Sequence, residues 1–231
     1  MSIEVLDQSP DTKRLIVQFQ IAKSDSETRR CQSLIAEVYY KKLGITFSET
    51  QFDPDAKIEL YPHRYLMGLV NEELVACMGL YLHNTNPERY GKVTEQEIDQ
   101  LLLEAGAANR YSGKYIRELS KFVVKDEWRK QGIGKLLMGA SHSKDFIHLE
   151  ENQSKPHLLV SCANVSIFKY FSDTLDIHTR TIKPVPFFKI HEFYRADHEP
   201  MENRLTIPDM DIPSQWYNAK LPGEYEIENQ N

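Results

Sequence analysis

This chain of 231 residues has little glycine: ten residues, about 4% where ~7% is usual. Cysteine is scarcer still. Cys31, Cys77 and Cys162 are odd in number, far apart and without a Cys-x-x-Cys pair, which argues against a zinc ribbon or a disulfide framework and for reduced thiols. No apolar run approaches the ~18–20 residues of a membrane span. The N-terminus, with Glu4, Asp7 and Asp11 near Lys13 and Arg14, lacks the plan of a signal peptide, so a cytoplasmic protein is expected. Positive charge is not in excess: 28 Lys and Arg face 34 Asp and Glu, net −6 with pI near 5.8, so nucleic acid and anionic membranes are not expected partners. No His-Glu-x-x-His occurs and no P-loop lysine follows the glycines, so no metal is expected. Gly139-Ala-Ser-His-Ser143 lacks the second glycine of a nucleophile elbow.

What remains is a folded, globular composition: 41% hydrophobic and 27% charged residues, mean hydropathy −0.51. The length fits one large domain or one with a decorated edge. Apolar residues at Leu34, Ile35, Val38, Tyr39 and Leu43 predict an amphipathic helix over 24–43. Residues 64–83 read as two β-type runs about a polar turn at 71–73, a hairpin. The polar stretch 84–113 is expected as an insertion. Residues 115–124 predict a central strand with an irregularity near Leu119–Ser120. A helical pattern follows Gly134, a short buried strand covers 157–163, a helix 165–174, and strands are expected at 177–183 and 187–195.

From Ala196 the chain holds eight acidic residues, two basic ones and four prolines, together with Trp216-Tyr217. It reads as an extended tail that packs through those aromatics and is disordered past about Glu224. The expected organisation is an N-terminal strand region at 1–23, a domain at 24–195 and this tail at 196–231. Alternating strands and helices predict an α/β or α+β fold.

Three of the ten glycines, Gly132, Gly134 and Gly139, fall within eight positions. Arg129-Lys-Gln-Gly-Ile-Gly134-Lys135 lies between a predicted strand and a predicted helix. Glycines let a backbone approach closely, turn amides point at an anion, and a helix N-terminus adds its dipole, a combination that suits a diphosphate. A tight strand-to-helix turn would also need glycine. Local charge favours the anion: residues 114–144 hold eight bases and three acids, net +5, leaving −11 for the rest of the chain. Gly139, inside the helix, is expected to permit close helix–sheet packing.

Val124 followed by Arg129, Gly132, Gly134 and a helix resembles the acyl-donor signature of the Gcn5-related N-acyltransferases (GNAT superfamily). The resemblance implies a mixed, mostly antiparallel sheet flanked by helices. It implies acetyl-CoA or another acyl-CoA as co-substrate, and a small-molecule or peptide amine as acceptor. Phe122, Val123 and Val124 would line pantetheine, and Arg129, Lys130, Gln131, Gly132, Ile133, Gly134 and Lys135 would hold the diphosphate. Asn164 would bond the pantetheine arm. The family's tyrosine, which protonates the leaving thiolate, falls at Phe171, with Tyr170 one place earlier; Tyr170 is the general-acid candidate, or a packing aromatic. Glu118, on the central strand, is the candidate base, or a member of a structural ion pair.

Glu118-Leu-Ser-Lys-Phe122 further resembles a stretch in acyl-homoserine-lactone synthases and long-chain N-acyl amino acid synthases, and Thr50-Gln-Phe-Asp53-Pro-Asp55 an acidic segment in them. That implies a long-chain donor carried on the phosphopantetheine of an acyl carrier protein. Met78-Gly79-Leu80 stands where the lactone synthases usually carry Arg. A non-catalytic acyl-CoA sensor and a protein-interaction module using the tail are the readings of other classes.

Overall fold

The computed structural model describes residues 14–43, 64–82, 100, 103, 115–148, 157–164, 179–186, 202–208 and 214–228. The elements in chain order are β1 (Arg14–Ile21), α1 (Asp25–Leu43), β2 (Arg64–Val70), β3 (Glu73–Leu82), β4 (Tyr115–Val124), α2 (Ile133–Ala140), α3 (Lys144–Ile147), β5 (His157–Asn164), β6 (Thr179–Pro186), β7 (Glu202–Pro208), α4 (Ser214–Tyr217) and β8 (Gly223–Glu228). The strands form one sheet in the order β6-β7-β5-β4-β3-β2-β1-β8. Among the described residues only the β4–β5 pair is parallel, so the sheet is mixed and mostly antiparallel, as expected. Among the described residues no helix is long and apolar enough to cross a membrane.

Local chemistry fixes the first elements. Ser24 and Glu27 form a capping box at the start of α1: Ser24 Oγ accepts the Glu27 amide at 3.2 Å, and Glu27 Oε2 accepts the Ser24 amide at 3.0 Å. The Lys23 amide donates to the same oxygen at 2.8 Å, and these backbone donors hold the Glu27 carboxyl below its usual range. The β2–β3 hairpin closes on Asn71 and Glu72, both at positive φ (48° and 66°), the arrangement whose twist suits a two-residue turn.

Two apolar layers flank the sheet. On one face α1 sets Cys31, Leu34, Ile35 and Val38 against Tyr65, Met67, Leu69, Leu74, Cys77 and Val123. On the other, Ile133, Leu137, Met138 and Ala140 of α2 meet Val17, Phe19, Leu66, Val75, Leu80, Leu119 and Val124. Strands β2 and β3, covered on both sides, are apolar from Tyr65 to Val70 and from Leu74 to Leu80 because neither face of those runs meets water. Cys31 and Cys77 are free, buried thiols of this core, and burial pushes the Cys77 thiol well up.

The tail departs from expectation. Residues 223–228, which include the first part of the stretch predicted to be disordered, form β8, pairing antiparallel with β1 from Arg14↔Glu228 to Phe19↔Gly223. Tyr225 meets Phe19 edge-on with ring centroids 5.4 Å apart. Further back, Glu202–Pro208 is β7, seated between β5 and β6. The sequence Glu224-Tyr-Glu-Ile-Glu228 alternates with period two, and β1 offers an open edge, so pairing outweighs the acidic composition. The strand expected at 177–183 is present as β6; the segments 84–113 (apart from Gln100 and Leu103), 165–174 and 187–195 lie outside the described residues.

Gly139 is also reassigned. A β-carbon there would collide with Trp216 Cε3 and Cζ3, so the glycine is a notch for the indole of α4 rather than a contact with the sheet. Gly139→Ala should therefore destabilise the protein by about 2–3 kcal/mol, at the upper end of overpacking. Denaturant unfolding measures this, and Trp216→Leu introduced beside it should recover part of the loss.

Candidate functional site

The centre of the site is β4. Gly79 pairs with Ser120 and Cys77 with Val123, so β4 advances three residues where β3 advances two. The extra residue is a β-bulge, one to two positions beyond the irregularity expected from sequence, and Lys121 there takes φ 59°. It inverts the strand's alternation. Leu119 belongs to the α2-side core, whereas Val123, an even number of residues on, lies in the α1-side core. Lys121 goes with Val123: its Nζ lies 5.4 Å from the centre of the Tyr39 ring on α1. Phe122, partly buried, packs with the α2-side core beside Val124.

On the other edge of β4, parallel pairing with β5 runs from Tyr115↔His157 to Leu119↔Ser161 and ends there. Strand β5 continues through Asn164, paired with β7. The two strands thus part at the bulge. Among the described residues no strand pairs with β4 on this side beyond Leu119, and an extended ligand could occupy that position with strand-like hydrogen bonds.

Past β4 the chain turns tightly. Lys125 donates its amide to Val75 O at 2.8 Å, a one-turn 3-10 helix spans Asp126–Trp128, and the Arg129 side chain folds back. Its Nε stands 3.0 Å from Val124 O and 3.0 Å from Asp126 Oδ1, stapling the loop to the strand end. Gln131 Nε2 donates to Glu127 O at 3.0 Å, and Lys125 Nζ pairs with Glu73 at 2.6 Å. Lys130 (φ 63°) and Gly132 (φ 85°) then take left-handed conformations, and Gly132 is the N-cap of α2. The first backbone bond of the helix runs from the Leu136 amide to Gly132 O at 3.2 Å, so the amides of Ile133, Gly134 and Lys135 precede the intrahelical ladder. Ile133 anchors this end in the core; Lys130 and Lys135 are exposed.

The sequence-derived residues thus fall into three groups. Phe122 to Lys135 are brought together as one strand end, loop and helix start; Val123 and Val124 are committed by their side chains to the two cores, so what they offer a ligand is backbone. Glu118 sits on β4 opposite Tyr81 of β3 and Val160 of β5, one residue before the strands part, and Asn164 is the last residue of β5. Tyr170, Phe171 and the 50–55 segment lie outside the described residues. An open cleft of about 680 Å³ on the α1 side of the loop is lined by Arg29, Arg30, Ser33, Glu73 and Lys125, among others. The tail packs through Trp216 and Tyr217 as expected, but sequence reasoning missed its terminal strand: Ile227 of β8 reaches the Gly132 turn, and the alternation of 224–228 was the available signal.

His142 does no chemistry here. It is buried, Nδ1 lies 2.7 Å from Met138 O, and burial pushes its pKa down to about 4. The folded chain thus holds it neutral where the unfolded chain, titrating near 6.5, takes a proton. Stability should be unaffected above about pH 6.5 and fall by about 3 kcal/mol as pH drops from there to about 4. A urea-unfolding series over that range, with His142→Gln flattening the slope, measures it.

No protein-family model and no curated protein matches this chain in sequence. Its structure is similar to that of the acyl-homoserine-lactone (AHL) synthase LasI: 15% identity over 89% of this chain and 94% of that one, TM-score 0.52. It is similar also to BjaI, a CoA-dependent acyl-homoserine lactone synthase solved with SAM and isopentyl-CoA (15%, 87% and 85%, TM-score 0.51). A third is FeeM, an N-acyl amino acid synthase from uncultured soil microbes (13%, 85% and 92%, TM-score 0.50). At such identities what is shared is architecture, and with the strand order, the bulged β4 and its divergence from β5, the fold of this chain is that of the Gcn5-related N-acyltransferases.

Proposed function

We propose that this chain is an N-acyltransferase that moves an acyl group from a pantetheine thioester to an amine. The observation that carries this is the alignment of two anchoring surfaces on one stretch of chain. The free edge of β4 suits the amide-bearing pantetheine arm, and the Gly132-capped start of α2 suits the diphosphate of coenzyme A.

In the reaction the amine nitrogen attacks the thioester carbonyl carbon, the carbon–sulfur bond breaks, and the thiolate leaves. Glu118 takes the proton from the incoming ammonium, directly or through water, before attack. A strand amide near Phe122 stabilises the charge that develops on the carbonyl oxygen. The amides of Ile133, Gly134 and Lys135, with the Lys130 and Lys135 ammonium groups, hold the diphosphate; Arg129 acts through its staple to Val124 and Asp126. Asn164 bonds the pantetheine arm, and Tyr170 gives its hydroxyl proton to the thiolate and recovers one from the nitrogen as the neutral amide forms.

A second reading is that the acyl group is long and arrives on an acyl carrier protein, with an amino acid as acceptor. It is supported by Glu118-Leu-Ser-Lys-Phe122 and by the likeness to an N-acyl amino acid synthase and two lactone synthases. Met78-Gly79-Leu80, in place of an arginine, weighs against lactone formation.

Full-length protein given acetyl-CoA, longer acyl-CoAs or acyl carrier protein thioesters, with a panel of amines, should release free thiol; donor binding without turnover would identify a sensor instead. Glu118→Gln should lower kcat about 100-fold with donor KM little changed, the scale of general-base loss. Gly132→Ala, strained at φ 85°, should weaken donor binding about tenfold while costing the fold only about 1–2 kcal/mol.

A further inference from the structure

Helix α2 is poorly built to hold its own N-terminus. It is eight residues long, its cap is a glycine, and Gly134 and Gly139 lie within it, each costing about 1 kcal/mol of helix stability relative to alanine. Support comes from the C-terminal segment, which follows α2 and α3 at four points. A β-carbon at Gly132 would lie 3.4 Å from Ile227 Cγ2 and 3.6 Å from its Cδ1, so this side chain stands directly behind the left-handed cap. Trp216 fills the notch at Gly139. The Leu221 amide donates to Asp145 Oδ2 at 3.0 Å, and the Tyr217 hydroxyl lies 3.2 Å from His148 Nε2. Register with β1 then fixes the position of Ile227, which pairs with Leu15.

We propose that Ile227 is a positioning residue for the donor loop: packed behind Gly132, it sets the direction of the α2 N-terminal amides toward a diphosphate-bearing donor. This rests on the acyltransferase reading. A branched aliphatic side chain suits the task, because its stiff χ1 presents two methyl-bearing arms to a cap that has no β-carbon of its own. The Gly132 contact lies at the end of the site that would meet diphosphate, although Ile227 also packs on the α2-side core. The pantetheine edge of β4 is held besides by β3 and by the α1-side core, to which Ile227 does not belong.

The test compares two probes, coenzyme A and pantetheine, which lacks the diphosphate, by calorimetric titration of the full chain. Ile227→Ala should weaken coenzyme A about tenfold, the scale of a small misplacement of binding groups, and leave pantetheine within about twofold. Ile227→Val should retain most of the coenzyme A affinity. Glu226→Gln, on the opposite face of the same strand, removes the 3.0 Å ion pair to Arg14 without touching Gly132 and should change neither affinity. Equal weakening of both probes by Ile227→Ala would reduce the residue to general structural support and overturn the proposal. Unchanged coenzyme A affinity in that variant would overturn it while leaving the donor reading intact. Failure of the wild-type chain to bind coenzyme A at all would defeat the donor reading and this inference together. If Ile227→Ala does not fold, Ile227→Val supplies the test: a loss of coenzyme A affinity greater than its loss of pantetheine affinity supports the proposal, and parallel losses oppose it.

Discussion

One extra residue in β4 governs the geometry of the site. Inserted between Ser120 and Val123, it changes which face of the sheet each later side chain meets, so Val123 joins the α1 layer and Val124 the α2 layer. It also comes where β4 leaves β5, since a bulge increases local twist and disrupts the ladder. A regular strand would have kept both neighbours and left no edge for a ligand to line. The bulge costs paired hydrogen bonds, and the two packed cores supply the rigidity that maintains it.

The two sides of the sheet contribute differently. The α1 layer is simple in build: a 19-residue helix, its N-terminus satisfied by its own capping box, covers β2, β3 and β4. The α2 layer is assembled from short pieces. Helices of eight, four and four residues share one core with a strand from the far end of the chain, so its integrity depends on contacts far apart in sequence, such as Tyr217 with His148, 69 residues apart, and Arg64 Nη1 with the His148 carbonyl, 84 residues apart. Arg64 donates to three carbonyls at the end of α3, those of Asp145, Phe146 and His148, which ties this piecemeal layer to β2. Around His148, burial first and then the charges of Arg117, Lys144 and Arg64 push the imidazole pKa down, and its Nε2 lies 3.2 Å from the Tyr217 hydroxyl.

Much of this was legible in the sequence because it is written locally. The period of Leu34, Ile35 and Val38 marks α1, the polar step at Asn71-Glu72 marks the hairpin, and the bracketing of Gly132 by a strand and a helix marks the loop. What was not legible depends on partners far away. Gly139 looks like any helical glycine until Trp216, 77 residues on, is known to lie across it. Acidic composition hid the alternation of Tyr225 and Ile227, because a count of charges discards their order. The bulge was placed one to two residues early because the extra residue can be counted only against β3, whose register no single strand contains.

Strand β8 closes the sheet on the β1 side, and its sequence has a consequence for crowded solution. An outermost strand exposes a row of unmet amides and carbonyls, an invitation to any extended chain. Here that border carries Glu224 and Glu226 on its solvent face, with Pro222 just before it. A second copy approaching to extend the sheet would bring the same glutamates, like charge against like, so the border built to steady the loop also discourages the protein from polymerising through it.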